Sequence, residues 1–376
     1  MSDKPEPIAT NLDAIFKRIE KIRGRQPVLI GEDHSYGQEP PQSEIVAKPP
    51  DPIEKKPLKK INRVQKKIID AAVNIMETPE TPSQEKAFLA RQLVQVTLPH
   101  SNPGNVPAWK RTNGNLTLLV RSGWDDKKDQ PIGFPYGTLP RLLLFWITTE
   151  ALRTKSRRLE LGNSLASFMR ELGLDAGRGG KRSDAYRLHN QMERLFRATI
   201  SFIQREEIEG RHSKSWVDMQ VAPKGKFWWD ICDPEKPMLW GSWIELGEDF
   251  YNAIISSPVP VDMRALRALS KSPMALDLYA WATWRSFTVS KKSEQQFIPW
   301  SGLAQQLGAD YGNLDDFRRK FKAALRKVKA VYSTLKIEDI DGGVIVLPNS
   351  APAVRHRSKK PKALPPPTTP HSALTT

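Results

Sequence analysis

Residues 177–183, GRGGKRS, place glycine and lysine where a phosphate could be cradled. A Walker A loop needs Gly five residues before the Gly of its Gly-Lys pair, and Ser or Thr directly after the Lys. Asp175 and Arg182 stand at those places, so the stretch does not form a nucleotide site. Metal chemistry is equally poorly supplied. A structural zinc site takes about four Cys or His ligands at set spacing, whereas Cys232 is the only cysteine and the six histidines are scattered. The acidic pairs Asp125-Asp126, Asp315-Asp316 and Asp339/Asp341 are of a type that holds magnesium in nucleases and primases. Each also has a plainer use as a loop, a helix start or a hairpin. No nucleophile–base pair stands out, so no catalysis, cofactor or metal is expected. The tryptophans of FWWD, WGSW and YAWATW are read as core rather than as stacking platforms for single strands.

What remains is positive charge. The net charge is +16 and the isoelectric point about 9.8. Excess charge of this size repels itself and calls for an anionic partner, nucleic acid first and a membrane surface second. It is concentrated on a helix predicted over residues 312–332. At about 100° per residue, Leu314, Phe317, Phe321, Ala324, Leu325, Val328 and Tyr332 share one face. Arg319, Lys322, Arg326 and Lys327 lie opposite, with Arg318, Lys320 and Lys329 at the margins. Asp315 and Asp316 sit in the first turn, where the helix dipole favours them. Such a face is either simply solvated or shaped for a DNA groove. Arg318, Arg319, Lys322, Arg326 and Lys329 are its candidate contacts.

A second basic helix is predicted over residues 183–197. It buries Leu188, Met192, Leu195 and Phe196 and shows Ser183, Tyr186, Arg187, Asn190, Arg194 and Arg197. Arginine can read guanine and asparagine adenine in a major groove; which residues read bases and which hold phosphates stays open. The amides at its start, with Arg178, Lys181 and Arg182, suit a phosphate. A surface turn is the plainer alternative for GRGGKRS.

Two similar runs of elements must position these helices. Residues 139–153 form a nearly all-apolar helix, RRLELG a short strand, residues 164–172 a short helix capped by Ser164, and GLDAGRGGKR the turn before the basic helix. The strands ATISFIQREEI, SWVDMQVA and KFWWDIC follow, and EGRHSK at the tip of a wing offers Arg211, His212 and Lys214 to the DNA backbone. The order repeats as an apolar helix at residues 272–287, strand QFIPW, a short helix at 301–307, the basic helix, and a hairpin around Asp341-Gly342-Gly343. Helix, strand, helix, turn, helix, hairpin is the winged-helix variant of helix-turn-helix. The chain is thus expected to be α+β, with tandem winged-helix domains at residues 136–258 and 259–348. Residues 61–135 form a helix and strand block, and residues 1–60 and 349–376 are disordered tails. Within the first tail, residues 11–22 have apolar positions at helical spacing. A basic run at Lys55, Lys56, Lys59, Lys60, Arg63, Lys66 and Lys67 leads into a helix over about 59–76 that lines up Ile61, Val64, Ile68, Ala72 and Ile75.

A single cysteine excludes an internal disulfide and fits a reducing compartment, so a cytoplasmic location is expected. No 18-residue apolar run offers a membrane span, and MSDKPEPIATN is no secretory signal.

Four blocks, TLPHSNP, WKRTNGNLTLLVRSGW, PYGTLPRLLLFWITTEA and PVPVDMRALRALSKSPMALDLYAW, taken in order, resemble plasmid-encoded RepA replication initiators from about Lys86 to Ile345. The resemblance implies tandem winged helices that bind repeated double-stranded sites, or iterons, at a plasmid origin. It implies binding as monomers, with a homodimer repressing the protein's own gene. It also implies help in opening the origin and in recruiting the host initiator and replicative helicase, without nucleotide or catalytic chemistry. The block before Leu139 has no counterpart in the simplest initiators of two winged helices. The main alternative is a winged-helix transcriptional regulator. An origin-processing nuclease or primase and a membrane-surface protein are weaker ones.

Overall fold

The structure, a computed structural model, describes residues 61–176, 183–208, 211–230, 232–238, 241–308 and 311–355. The helix expected at residues 11–22, the basic run from Lys55 to Lys60, Arg178, Lys181, Arg182 and the tail from residue 356 lie outside them. The chain divides into two compact units, Met1–Lys66 and Lys67–Thr376; the account below concerns the second. The protein is mixed α+β.

Helix α1 (Arg63–Glu77) buries Ile68 and Ala72, while Ile61 and Val64 stay exposed. Within the expected helix and strand block, the stretch AFLARQLVQVTLP holds one of each. Strand β1 (Lys86–Ala90) passes directly into the short helix α2 (Arg91–Gln95). Strands β2 (Trp109–Asn113) and β3 (Leu116–Arg121) form a hairpin. Its turn carries Gly114 at φ +55°, a conformation that glycine adopts without a Cβ penalty. In the expected loop that follows, β4 (Trp124–Asp125) and β5 (Gln130–Pro131) make a small pair.

A first module then runs through α3 (Leu139–Thr154), β6 (Arg158–Gly162), α4 (Leu165–Glu171), α5 (Asp184–Phe196), β7 (Thr199–Ile208), β8 (Arg211–Gln220), β9 (Lys224–Lys226) and β10 (Ser242–Glu245). Helix α6 (Glu248–Ser256), strand β11 (Pro258–Asp262) and helix α7 (Met263–Leu269) lead to a second module. That module contains α8 (Pro273–Lys292), β12 (Gln296–Pro299), α9 (Trp300–Leu307), α10 (Leu314–Val331), β13 (Ile337–Ile340) and β14 (Gly343–Val346). Side-chain caps open five of these helices. Ser164, Ser183, Asp262, Ser272 and Asn313 each accept a hydrogen bond from a first-turn amide, which satisfies a donor the helix itself cannot.

The two modules share a sheet order. The first is β6-β10-β9 and the second β12-β14-β13. In each, the strand before the short helix pairs with the last strand, and the remaining strand lies outside. This corrects the expected wing of the first module. The long hairpin β7–β8 joins a different, four-stranded sheet in the order β2-β3-β7-β8. Leu118 and Val120 of β3, both buried, stand opposite Phe202 and Ile200 of β7. That match of apolar faces fixes the pairing. The pair β9–β10, joined by a longer connection, occupies the place assigned to the hairpin.

The segment before Leu139 is woven into the rest. Strand β1 pairs antiparallel with β11, and β2–β3 carries the hairpin. A buried cluster ties the modules' first helices together. Arg141 of α3 donates through Nε and Nη2 to the two carboxylate oxygens of Asp277 of α8, both at 2.7 Å. Its remaining donors go to the carbonyls of Leu98 (2.6 Å), Pro99 (3.0 Å) and Gly137 (2.6 Å). His100 Nε2 lies 2.8 Å from the same carboxylate. Burial alone would raise the Asp277 pKa, but the guanidinium and His100 hold it well below the usual carboxylate range. Burial drives the His100 pKa down, so neutral imidazole donates to Asp277.

Candidate nucleic-acid interface

Helix α10 is the most basic surface element. Phe317, Phe321, Ala324, Leu325 and Val328 are buried as the periodicity requires, with Trp300 of α9 edge-on to Phe321 at 5.3 Å. The basic side faces out but is not uniformly free. Arg319 is open, its side chain 73% exposed, and it pairs with Asp316 at 2.6 Å. Arg318 pairs with Asp315 at 3.2 Å, and Lys322 with Asp339 of β13 at 2.6 Å. Lys329 donates to the Ile337 carbonyl at 2.7 Å, and burial lowers its pKa. Arg326 is half-buried. Strand β13 thus draws Lys322 and Lys329 to one side of the helix. Arg319 and Lys320 remain at the front, and Lys320, which the site reading passed over, is exposed and has no partner among the described residues. Ala323 lies between them on the helix, and so small a side chain leaves room for close approach.

Helix α5 buries Ala185, Leu188, Gln191, Met192, Leu195 and Phe196. Of its expected contacts, Tyr186, Arg187 and Arg197 are exposed, and Ser183 and Asn190 are half-buried. Arg187 pairs with Asp184 at 3.0 Å. Arg194 does not face outward as expected. Its Nη1 donates to the Phe134 carbonyl at 3.2 Å, and the guanidinium sits 5.4 Å from the centre of the Tyr136 ring. Gly133, at φ +98°, makes room for it: a Cβ there would stand 2.6 Å from Nη1. The periodicity of α5 placed Arg194 on the wet face, but a loop from before α3 covers that part of the helix. In the sequence, Gly133 two residues before Pro135 is a local trace of that close approach.

Arg211, His212 and Lys214 lie on β8, in the four-stranded sheet, and are exposed. Lys214 Nζ sits 5.3 Å from the centre of the Trp216 ring, itself 61% exposed. In the β6-β10-β9 sheet, Lys224 and Lys226 of β9 are exposed instead. Lys224 pairs with Glu245 at 3.3 Å, and Lys226 Nζ lies 4.5 Å from the centre of the Trp228 ring. Sequence reading missed both lysines because KGK is only three residues long. The hairpin of the second module is acidic, with Glu338, Asp339 and Asp341 exposed.

Among the described residues, no group of three or more His, Cys, Asp or Glu is arranged to hold a metal. No described helix is long and apolar enough to cross a membrane. Two helices, α5 and α10, each follow a short helix in a repeated arrangement, and each offers exposed arginine.

Residues 134–302 match the family of plasmid-encoded RepA proteins. The family model that matches is the one the sequence blocks resemble, over a shorter span that covers less than half of the chain. The matched residues include the first module and end within α9, so α10 lies beyond them. Two structural comparisons are of lower similarity. A crystal structure of selenomethionine derivatives of domains 2 and 3 of RctB is 10% identical, with a TM-score of 0.43. It covers 68% of this chain and 97% of that one. Another crystal structure of RctB domains 2–3 is 12% identical, with a TM-score of 0.41 and coverage of 68% and 94%. No curated protein sequence matches the chain.

Proposed function

We propose that the chain is a plasmid replication initiator that grips duplex DNA at its origin through two winged helices. Helices α5 and α10 each enter a major groove. Arg187 and Asn190 on the first, and Arg319, Lys322 and Arg326 on the second, are the foremost contacts. The β9–β10 pair brings Lys224 and Lys226 to the backbone in the first module. The acidic second hairpin suits no phosphate, so α10 carries that module's contacts. One observation supports the reading above the rest: one element order and one strand order are built twice, each time setting an exposed basic helix after a short one.

The family extends this reading to iteron-type repeats, origin opening in the cytoplasm, and recruitment of the host initiator and replicative helicase. A homodimer repressing the protein's own gene, with the monomer as the initiating form, completes it. Footprinting on the plasmid DNA that flanks the gene tests the proposal. Evenly spaced protected repeats are expected. A single isolated operator would favour a transcriptional regulator, and an absence of protection would defeat both.

A further inference from the structure

A groove of about 460 Å³ opens between β11, α8 and the chain after β14. Its lining is mainly apolar, with Pro258 and Pro260 on one wall and Trp284, Phe287 and Tyr332 on the other. Phe287 is 65% exposed, the highest value among the large apolar side chains described. Ser290, also in the lining, buries a hydroxyl that has no hydrogen-bond partner among the described residues.

The third wall is residues 350–354, and these are firmly held. Ser350 Oγ accepts from the Lys336 amide at 3.0 Å, and the Ala351 carbonyl accepts from Tyr332 Oη at 2.8 Å and Thr334 Oγ1 at 3.3 Å. Val354 is buried, and the Arg355 carbonyl accepts from the Thr81 amide at 3.1 Å. The chain is therefore fixed along the groove as far as Arg355, and residues 356–376 continue from that point. They open with the basic stretch HRSKKPK and then read ALPPPTTP, which is uncharged.

The geometry points to this groove as the seat of the protein's own proline-rich segment, residues 363–370. Proline runs favour the polyproline II conformation, whose ordering cost is already met and whose carbonyls are free. Such segments dock in grooves lined by aromatic rings, and Trp284, Phe287 and Tyr332 supply them. Arg91 and Lys291, at the groove, meet a neutral segment rather than the basic stretch before it. Ten residues separate Arg355 from Pro365 and can span roughly 33–36 Å, so reach is no obstacle. A short tether gives an effective concentration of about 1 mM, so even an affinity of about 0.1 mM fills the groove about nine-tenths of the time. The basic residues between the two anchors would then form a closed loop on the second module. This inference does not rest on the DNA-binding reading.

The test is photo-crosslinking in the full chain, with Phe287→p-benzoylphenylalanine, in a mixture of isotopically light and heavy protein. Circular dichroism first establishes that the exposed substitution leaves the fold intact. The expected product joins position 287 to residues 363–370 of the same chain. Its yield should fall at least about five-fold when Pro365, Pro366 and Pro367 are all changed to Ser. Mixed-isotope products, which report a second copy in the groove, would overturn the assignment. So would an absence of tail products, or an unchanged yield in the serine variant. Capture of an added acidic peptide in preference to the tail would overturn it in favour of an external partner.

Discussion

Replacing Asp277 with Asn keeps the shape of the side chain but removes the charge that faces Arg141. In the native protein the guanidinium makes five hydrogen bonds, two of them to this carboxylate at 2.7 Å, and only 4% of the Arg141 side chain is exposed. The three carbonyls can still accept, but no anion balances the buried cation, and the new amide nitrogen meets either an Arg141 donor or His100. Removing one partner of a buried pair costs about 3–5 kcal/mol. At about 2.1 cal/mol/K per residue over the described residues, each kcal/mol moves the melting temperature by roughly 1.7 °C. Asp277→Asn should therefore melt about 5–8 °C lower by circular dichroism and lose about 3–5 kcal/mol by urea titration. A loss below about 1 kcal/mol would refute the view that an uncompensated charge is what matters.

Further outcomes follow from the same structure. Changing Arg319, Lys322 and Arg326 together to Ala should leave the circular dichroism spectrum unaltered but abolish specific binding in a mobility-shift assay. The salt dependence should also flatten, by about 0.9 in log–log slope per lost phosphate contact; unchanged affinity would remove α10 from the interface. Asp339→Asn frees Lys322 from its 2.6 Å partner and should tighten DNA binding by roughly two- to five-fold, the scale of an exposed ion pair; weaker binding would contradict it. The His100 pKa lies below its ordinary value, so between the two values the unfolded chain binds the extra proton and stability rises with pH. Stability should thus fall as pH drops from about 7 through the lowered His100 pKa. His100→Gln should lose that part of the slope in urea titrations at several pH values; an identical slope would assign it to other groups.

Much of this was legible from residues close in sequence. The amphipathic stripe of α10 and the capping Asn313 and Ser183 are local signals, and the helices stand where they predict. The hairpin β7–β8 was legible as a pair of strands but not in its partner, because only the faces of β3, some 80 residues earlier, decide which sheet it joins. A separation of 60 residues, from Phe134 to Arg194, hid the cover over that arginine. The Arg141–Asp277 pair left a trace that could have been followed: one arginine in the apolar run LPRLLLFWITT and one aspartate in MALDLYAW each need a buried counter-charge. Both lie in blocks that carry the resemblance, so part of that resemblance rests on residues that hold the fold together.

That joinery has a mechanical side. With α3 and α8 clasped through one guanidinium and β1 stitched to β11, the first helices of the two modules are held to each other. On the proposed reading, this clasp sets the gap between the two basic helices, and a duplex held by both would have to match it.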